Sequence, residues 1–208
     1  MRYGMIGEGK KAAWRETILR GVVFYEVTLP VSGWFAGVRR RRLWHLLVRS
    51  GVRRCIMPEK WCREAAGYGI APLDPTPLRR ALLPRLLPPL AGKTAALRAD
   101  YADAAVAEAA HLLAQRARYV TLDIRCGGDA LRWQLWQGYG ISTGPGQSPE
   151  LTVDFTDTVP GALSLGRAGE LRCRVDGQIL PETVTAALFL AGAVKKEDIG
   201  IDSVPFNA

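Results

Sequence analysis

Strand-like and helix-like segments alternate along most of this sequence, and the alternation twice ends on the same four residues, Gly-Tyr-Gly-Ile, at 67–70 and 138–141. The strand-like segments are rich in Val, Ile, Thr and aromatic residues and lack clean alternation of polar and apolar positions. Such strands are typical of a parallel sheet that is buried on both faces, since the helices between the strands cover it. The pattern therefore predicts an α/β protein.

The first half of the sequence begins with two adjacent strand-like runs. Residues 14–21 alternate loosely and residues 22–30, VVFYEVTLP, form a β-branched and aromatic run, so a hairpin through Arg20-Gly21 is expected. A helix is predicted over about 35–50, because a glycine follows it and its apolar residues fall roughly on one face; these residues are Val38, Leu43, Leu46 and Leu47. A short strand and a short helix then precede the first Gly-Tyr-Gly-Ile.

The second half repeats this order of elements. Residues 94–99 predict a short strand, and the Ala-rich residues 100–117 predict a helix with Asp100 as its N-cap. Residues 118–124, RYVTLDI, are the clearest strand in the chain and apolar enough to be central in a sheet. The residues CGGD then turn into a helix over about 130–137. The two tetrapeptides thus occupy equivalent places in two strand–helix–strand–helix units.

The repeated tetrapeptide is best interpreted as punctuation between a helix and the next strand. Glycine takes the left-handed conformation that closes a last helical turn, Tyr covers the helix end, and Ile begins the next buried strand. Two alternatives stay open. In the first alternative, Tyr68 and Tyr139 both face one ligand cleft. In the second, the match is a coincidence, since the rest of the two units aligns poorly.

The remaining segments connect and extend the two units. Residues 73–92 contain five prolines, which are expected to break the segment into short pieces, while its leucines predict that it packs on the body of the protein. Further along, residues 150–155 predict a strand and Asp176-Gly177 predicts the turn of a hairpin. A helix is expected over 181–192 and a final strand near 199–204.

This order of elements resembles the Rossmann-like class of folds over residues 22–155. The predicted fold is α/β and Rossmann-like, a mostly parallel sheet with helices on both faces, an N-terminal β-hairpin and a C-terminal α+β extension. The expected segments are a strand or hairpin arm, a first βαβα unit, a packed Leu- and Pro-rich linker, a second βαβα unit and a hairpin–helix–strand extension, at 1–21, 22–72, 73–93, 94–155 and 156–208.

Composition narrows the class of protein. No run of about 18 apolar residues is present, so no transmembrane helix is expected, and the first residues lack the apolar core of a signal peptide. We therefore expect a cytoplasmic protein with no membrane partner. The 4 cysteines are scattered and only 2 histidines are present, so we expect reduced, mostly buried thiols and no metal site.

Candidate ligand-binding residues follow from the rule that open parallel sheets bind ligands at the carboxyl ends of their strands. The residues that follow the predicted strands are Ser32, Gly33, Asp100, Arg125, Gly127, Gly128 and Asp129. No predicted strand is followed by the G-x-G-x-x-G fingerprint of dinucleotide-binding proteins. GEGKK near the start has no predicted strand before it and lacks the spacing of a phosphate loop. A nicotinamide or flavin cofactor is therefore unsupported, and the sequence identifies no other cofactor.

Among these residues, the stretch RCGGD at 125–129 is the strongest site. Its two glycines free backbone amides at the start of a helix, where the helix dipole favours an anion, and Arg125 adds positive charge. A bound anion is thus predicted at Gly127 and Gly128. The alternative is a plain strand-to-helix turn with Asp129 as its N-cap. Cys126 has no evident histidine nearby to act as a base, which argues against a catalytic thiol.

Three functional hypotheses remain. The first is a protein that binds a small anionic or nucleotide-like ligand, with no recognisable catalytic set. Asp123 or Asp154 would suit a ribose hydroxyl, and the more common alternative is that these strand-end aspartates cap neighbouring loops. The second, suggested by a net charge of +8 and four arginines at 39–42, is a basic module for nucleic acid or another acidic partner. Nucleic acid is less favoured, because four consecutive side chains surround a helix and cannot all face one partner. The third is a structural role in a homo-oligomer, through faces bearing Trp133 and Trp136.

Overall fold

The computed structural model describes residues 1–90, 93–141, 148–166, 169 and 171–206. Residues 91–92 of the predicted linker, 142–147 of the predicted second unit, and 167–168, 170 and 207–208 of the predicted extension lie outside the described residues. The described part is a mixed α/β structure with six α-helices and sheets of mostly parallel strands. The chain divides into two compact units, Met1–Pro75 with Thr183–Asp198, and Thr76–Glu182 with Ile199–Ala208.

The first unit contains a five-stranded sheet. Its strands follow one another in space as β2-β3-β1-β4-β5, and their bounds are β1 (Arg2–Gly9), β2 (Ala13–Leu19), β3 (Val22–Pro30), β4 (Arg54–Ile56) and β5 (Ala71–Pro72). Every neighbouring pair is parallel except β2 and β3, which form the predicted hairpin. Arg20 and Gly21 both take positive φ in its turn, which matches the twist of the two strands.

The helices α1 (Ala36–Arg49) and α2 (Glu59–Ala66) form where the sequence predicts them, and both contribute to one core with the sheet. α1 buries Leu43, Trp44 and Leu47 in this core. Each such side chain contributes about 1.5–3 kcal/mol when it leaves water, so the core fixes the helix on the sheet. The predicted apolar face is only half correct, because Val38 and Leu46 are exposed.

Strand β1 corrects the prediction that no strand precedes GEGKK. It lies in the middle of the sheet, between β3 and β4. Three glycines interrupt its apolar pattern, and one of them has a structural reason: Gly4 lies opposite Cys55 of β4, and a Cβ at position 4 would overlap the Cys55 sulfur. Only glycine permits this close approach of two strands. The spacing after the strand is still not that of a phosphate loop.

The second unit contains a four-stranded sheet whose pairs are all parallel. After α3 (Thr76–Leu86), its elements are β6 (Thr94–Tyr101), α4 (Ala104–Arg116), β7 (Tyr119–Cys126), α5 (Gly128–Tyr139), β8 (Leu151–Asp154) and β9 (Leu163–Ser164). The spatial order is β7-β6-β8-β9, so β6 is internal and β7 is an edge of the described sheet. The prediction that RYVTLDI is central is therefore wrong. Apolar residues alternate with polar ones along it, and only one side is buried.

Helix α3 corrects the prediction that prolines break residues 73–92 into short pieces. Pro77 lies in the first turn, where a missing N–H costs no hydrogen bond, and Pro84 lies near the end of the helix. Leu78, Leu82 and Leu83 are buried, which agrees with the expectation of a packed segment. Burial of these leucines outweighs the local cost of Pro84.

The last segments form as expected from the sequence. β10 (Arg172–Val175), β11 (Gln178–Pro181) and β12 (Gly200–Ser203) make an antiparallel sheet in the order β11-β10-β12, within the second unit. Asp176 and Gly177 both have positive φ and form the predicted hairpin turn. Helix α6 (Glu182–Leu190) starts directly after β11, and Gly192 follows it at φ +71°.

The two Gly-Tyr-Gly-Ile stretches do end helices, as predicted. The left-handed residue is the second glycine of each copy, with φ +70° at Gly69 and +63° at Gly140. The first glycine of each copy stays helical, at the C-cap of α2 and inside α5. Ile70 and Ile141 are buried after the turns. Among the described helices, none combines the length and the apolar character needed to cross a membrane.

Candidate functional site

The second unit has a charged patch where its parallel strands end. Residues of β6 and β7 alternate between a buried side and a polar side, as the period of two in a strand requires. Arg98 and Asp100 of β6, and Asp123 and Arg125 of β7, all fall on the polar side. Arg98 is the register partner of Asp123, so the four charged side chains lie side by side near the carboxyl ends of the strands.

A cleft of about 180 Å³ opens at this patch. Two threonines that follow β8 complete its wall, and the lining residues are Arg98, Ala99, Asp100, Asp123, Arg125, Thr156 and Thr158. Three adjacent parallel strands thus contribute to one cleft at their carboxyl ends, the edge at which open parallel sheets bind ligands.

The charges of the cleft pair with one another loosely. The Arg98 Nε atom lies 3.5 Å from Asp123 Oδ2, and Arg125 Nη1 lies 3.3 Å from Asp100 Oδ1. The four side chains are between 42% and 77% exposed, and such pairs contribute only about 0–1 kcal/mol. Each guanidinium carries five N–H donors, so most of the donors stay available to a ligand.

Asp154 holds the threonine loop in place. This carboxylate ends β8, is fully buried, and accepts hydrogen bonds from the backbone N–H groups of Thr156, Thr158 and Val159 at 2.7–2.8 Å. Burial alone would raise the pKa of Asp154, but the Thr156 hydroxyl and these amides outweigh burial and lower it. Asp154 is therefore ionised, and the loop that lines the cleft wraps around its charge.

The hydroxyl groups of this loop have a fixed direction. Thr156 Oγ1 lies 2.7 Å from Asp154 Oδ1 and 2.7 Å from Thr158 Oγ1. An ionised carboxylate only accepts, so the single proton of Thr156 points to Asp154, and the Thr156 oxygen accepts from Thr158. The Thr158 hydroxyl proton is therefore already donated to the Thr156 oxygen. The hydroxyl oxygen of Thr158 can therefore offer a ligand lone pairs and no proton.

Two of the predicted site residues lie together in the cleft, and the others do not line it. Asp100 and Arg125 both line the cleft. Gly127, Gly128 and Asp129 follow β7 but do not line the cleft, although Gly127 does take the left-handed conformation before α5, with φ +78°. Asp129 is 97% exposed and pairs with Arg132 at 2.7 Å within α5.

The other two predicted residues belong to the first unit. Ser32 and Gly33 follow β3 in an exposed loop, where Gly33 has φ +115° and its carbonyl oxygen accepts the N–H of Ala36. The loop begins α1, as the sequence indicated. Its most exposed member is Trp34, which is 97% exposed.

Two local predictions around the site need correction, and the position of Cys126 is settled. Asp100 is part of β6 and does not cap α4; the N-cap is Asp103, whose carboxylate accepts the Val106 N–H at 2.8 Å. Asp129 does not cap α5, because the cap residue is Gly127. Cys126 lies exposed at the end of β7, before the helix starts.

Sequence reasoning missed Arg98, Thr156 and Thr158. The sequence does contain a pattern that marks Arg98. It alternates with the apolar Leu97 and Ala99, as Asp100 does, and this alternation places it on the polar side of β6. No local pattern marks the two threonines. Their place depends on the burial of Asp154, which only the folded structure reveals.

Among the described residues, no group of three or more His, Cys, Asp or Glu side chains is arranged to hold a metal ion. The cleft presents side chains of both signs of charge and two threonines. No model of a known protein family matches the chain. A search of curated proteins also finds no significant match to this sequence.

Proposed function

We propose that the second unit binds a small, phosphorylated and hydroxylated ligand, such as a sugar phosphate or a mononucleotide, in the cleft at the carboxyl ends of β6, β7 and β8. The observation that carries the proposal is that guanidinium groups and hydrogen-bond acceptors line one cleft of about 180 Å³. The binding edge expected for a Rossmann-like sheet supports it.

The cleft offers two kinds of contact. Arg98 and Arg125 supply planar guanidinium donors, which suit the oxygens of a phosphate or carboxylate. Asp100, Asp123 and the Thr158 oxygen supply acceptors, which suit the hydroxyl groups of a sugar. A simple inorganic anion uses only the first kind, and a neutral sugar uses only the second. A ligand that carries both groups uses all of the lining side chains.

The size of the cleft favours a small ligand. Drug-sized molecules occupy pockets of roughly 300–1,000 Å³, whereas this cleft measures about 180 Å³. A dinucleotide would extend well outside it. A sugar phosphate, or the phosphate and ribose of a mononucleotide, is the appropriate scale.

The test is a thermal-shift screen of the whole protein with sugar phosphates, mononucleotides and dinucleotides at millimolar concentration. A ligand present at about 100 times its Kd stabilises the folded state by about 2.7 kcal/mol, which raises the melting temperature by several degrees. We expect sugar phosphates or mononucleotides to raise it, and the corresponding unphosphorylated sugars or nucleosides to raise it much less.

A pair of arginine variants locates the binding. Arg125→Gln, in the cleft, should remove most of the shift. Arg118→Gln, an exposed arginine just before the amino end of the same strand, should leave the shift unchanged. The proposal is wrong if no compound raises the melting temperature of the natural sequence, or if Arg125→Gln responds as fully as Arg118→Gln.

A further inference from the structure

The first unit carries an exposed surface that combines aromatic and cationic side chains. The loop before α1 presents Trp34 and Phe35, which are 97% and 60% exposed. Beyond them, three arginines and a histidine repeat at spacings of one, three and four residues along α1, which places them on one stripe of the helix. We call this the α1 surface, and its residues are Trp34, Phe35, Arg41, Arg42, His45 and Arg49.

The α1 surface is separate from the face that holds the helix in place. α1 packs through Leu43, Trp44 and Leu47, which are at most 7% exposed. Arg40 lies beside that face, where Nη1 donates to the Pro30 carbonyl oxygen and Nε pairs with Glu64 at 3.4 Å. One arginine of the run is thus structural, and the exposed stripe can be changed without loss of the core.

No carboxylate of the described residues neutralises the arginines of the α1 surface. Among the described residues, Arg41, Arg42 and Arg49 have no carboxylate within ion-pair distance, and the whole chain carries a net charge of +8. Arginine stays protonated at every relevant pH. Exposed guanidinium groups and an exposed indole on the same helix and its preceding loop suit an anionic partner with a flat apolar group.

We propose that the α1 surface binds single-stranded nucleic acid, with Trp34 and Phe35 stacking on unpaired bases and Arg41, Arg42 and Arg49 contacting phosphates. Stacking on aromatic side chains needs the open face of a base, which a duplex does not offer along its length. The helical stripe from Arg41 to Arg49 extends over about 12 Å, and the loop with Trp34 and Phe35 lengthens the surface, which suits a strand of several nucleotides.

The distribution of apolar residues favours this partner over a membrane surface. A helix that lies in a membrane interface inserts an apolar stripe along its length. In α1 that stripe, with Leu43, Trp44 and Leu47, is already buried in the core. On the outward face of α1, the exposed aliphatic residues Val38 and Leu46 are separated by arginines and form no continuous apolar stripe. The exposed aromatic residues are confined to the loop at one end.

The test is fluorescence anisotropy of labelled single-stranded DNA and RNA of about 12 nucleotides, with the full chain, across a salt series from about 50 to 300 mM. The logarithm of the association constant should fall linearly with the logarithm of salt concentration. Replacing Arg41 and Arg42 together with Gln should weaken binding and reduce that slope by about 1.4, since each lost phosphate contact removes about 0.7.

Two tryptophan variants separate stacking from charge. Trp34→Ala should weaken binding about tenfold and leave the salt slope unchanged. Trp133→Ala removes another exposed tryptophan, 57% exposed on α5 of the second unit, and should have no effect. Arg118→Gln, which removes an exposed arginine of the second unit outside the cleft, should also have no effect. Because the tested α1 residues do not line the cleft, failure of this proposal is distinct from failure of the ligand cleft.

Several results would overturn the inference. They are the absence of binding at about 50 mM salt, equal effects of Trp34→Ala and Trp133→Ala, and equal affinity for duplex and single strand. Vesicles with anionic lipids are the remaining binding partner to be tested. Trp34-dependent binding to them, without binding to nucleic acid, would assign the surface to a membrane instead.

Discussion

The buried carboxylate of Asp154 positions the loop that carries two threonines of the cleft. It has no exposed surface, yet it is charged, because three backbone amides and one hydroxyl of residues 156–159 point at it. A buried charge is tolerated only when it is hydrogen-bonded in this way. Since the same loop carries Thr156 and Thr158 into the cleft, a change at Asp154 should affect both stability and ligand binding.

We expect Asp154→Asn to destabilise the protein by about 2–3 kcal/mol at pH 7. The amide NH₂ group would face the N–H groups of Thr158 and Val159, or that of Thr156, so two donors would point at each other. Urea unfolding measures the loss. Asp129→Asn is the matched control, because Asp129 is 97% exposed, and it should change stability by less than about 0.5 kcal/mol.

The comparison of the natural sequence with Asp154→Asn also predicts how stability depends on pH. The folded-state pKa of Asp154 is lowered below an unfolded value of about 3.9, so its contribution is present above that value and is lost as pH falls through the folded-state pKa. The difference in stability between the natural sequence and Asp154→Asn should therefore shrink as pH falls from about 5 to 2. A difference that stays constant over this range would contradict the assignment.

Cys55 is predicted to be chemically inert in the folded protein. Burial raises the pKa of its thiol to about 12, although the Gly4 backbone lowers it slightly. The thiolate fraction at pH 8 is then on the order of 10⁻⁴. Alkylation followed by peptide mass spectrometry should modify the exposed Cys126 in the native protein, and Cys55 only after unfolding. Equal rates of modification for the two cysteines would refute this.

At the scale of elements, the start of α5 contains two adjacent glycines that look alike in the sequence but differ in backbone conformation. Gly127 has φ +78°, and Gly128 is helical, with Ile124 Cβ 3.0 Å from where a Cβ would stand. The sequence does not distinguish the two glycines, and the structure gives the left-handed conformation to Gly127. The reason is that the left-handed residue reverses the chain between strand and helix, and the next residue already belongs to the helix.

We expect Gly127→Ala to destabilise the protein by about 1–2 kcal/mol, because an alanine in the left-handed conformation brings its Cβ against the backbone. Gly138→Ala, in the same helix with no atom within 4 Å of the new Cβ, should stabilise it by up to about 1 kcal/mol. Thermal unfolding of the two variants compares them directly. The same sign of change for both variants would show that conformation at the helix start does not matter.

Local sequence patterns predicted α1, α2, α4 and both hairpins, because periodicity, caps and turn residues act over a few residues. They failed for β1 and α3. Gly4 breaks the strand pattern because it makes room for Cys55, which lies 51 positions away and follows from strand pairing. The prolines of α3 obscure a helix that the burial of Leu78 and Leu82 stabilises. Long-range packing decided both elements.

The candidate site likewise contains residues that local patterns predict and residues that depend on long-range packing. Asp100 and Arg125 were predicted from their positions after strands, and strand register does bring them into one cleft. Their partners Thr156 and Thr158 were not predicted, since nothing near them in the sequence marks Asp154 as buried and charged. Binding residues that depend on a second buried residue are not visible in a local pattern.

At the scale of the whole chain, the polypeptide leaves the first unit at Pro75 and returns to it at Thr183, and a buried ion pair lies next to both crossing points. Arg79 of α3 is 1% exposed, and Glu182 lies at the end of the segment that builds the second unit. The pair is bidentate, with nitrogen–oxygen distances of 2.5 and 2.7 Å. It therefore closes the second unit between the two ends of its main segment.

Other groups complete the environment of Arg79. Its Nη1 atom donates to Ser164 Oγ at 2.9 Å, and Nη2 donates to the Gly169 carbonyl oxygen at 3.0 Å. Ser164 in turn donates to Asp157. Because buried guanidinium groups need every donor satisfied, this network specifies how Asp157, Ser164 and Gly169 lie against α3. No sequence pattern links positions 103 residues apart.

We expect Arg79→Met to destabilise the protein by about 3–5 kcal/mol, because it leaves the Glu182 carboxylate buried without its partner. The double variant Arg79→Met with Glu182→Leu should regain a large part of the loss, since no buried charge then remains. Arg174→Met breaks the pair with Asp202, where the arginine is 52% exposed, and should cost less than about 1 kcal/mol. Urea unfolding of the four proteins gives these values. If the double variant is no more stable than Arg79→Met, the lost hydrogen bonds to Ser164 and Gly169 explain the effect and the ion pair does not. If Arg79→Met costs no more than Arg174→Met, the pair does not close the unit.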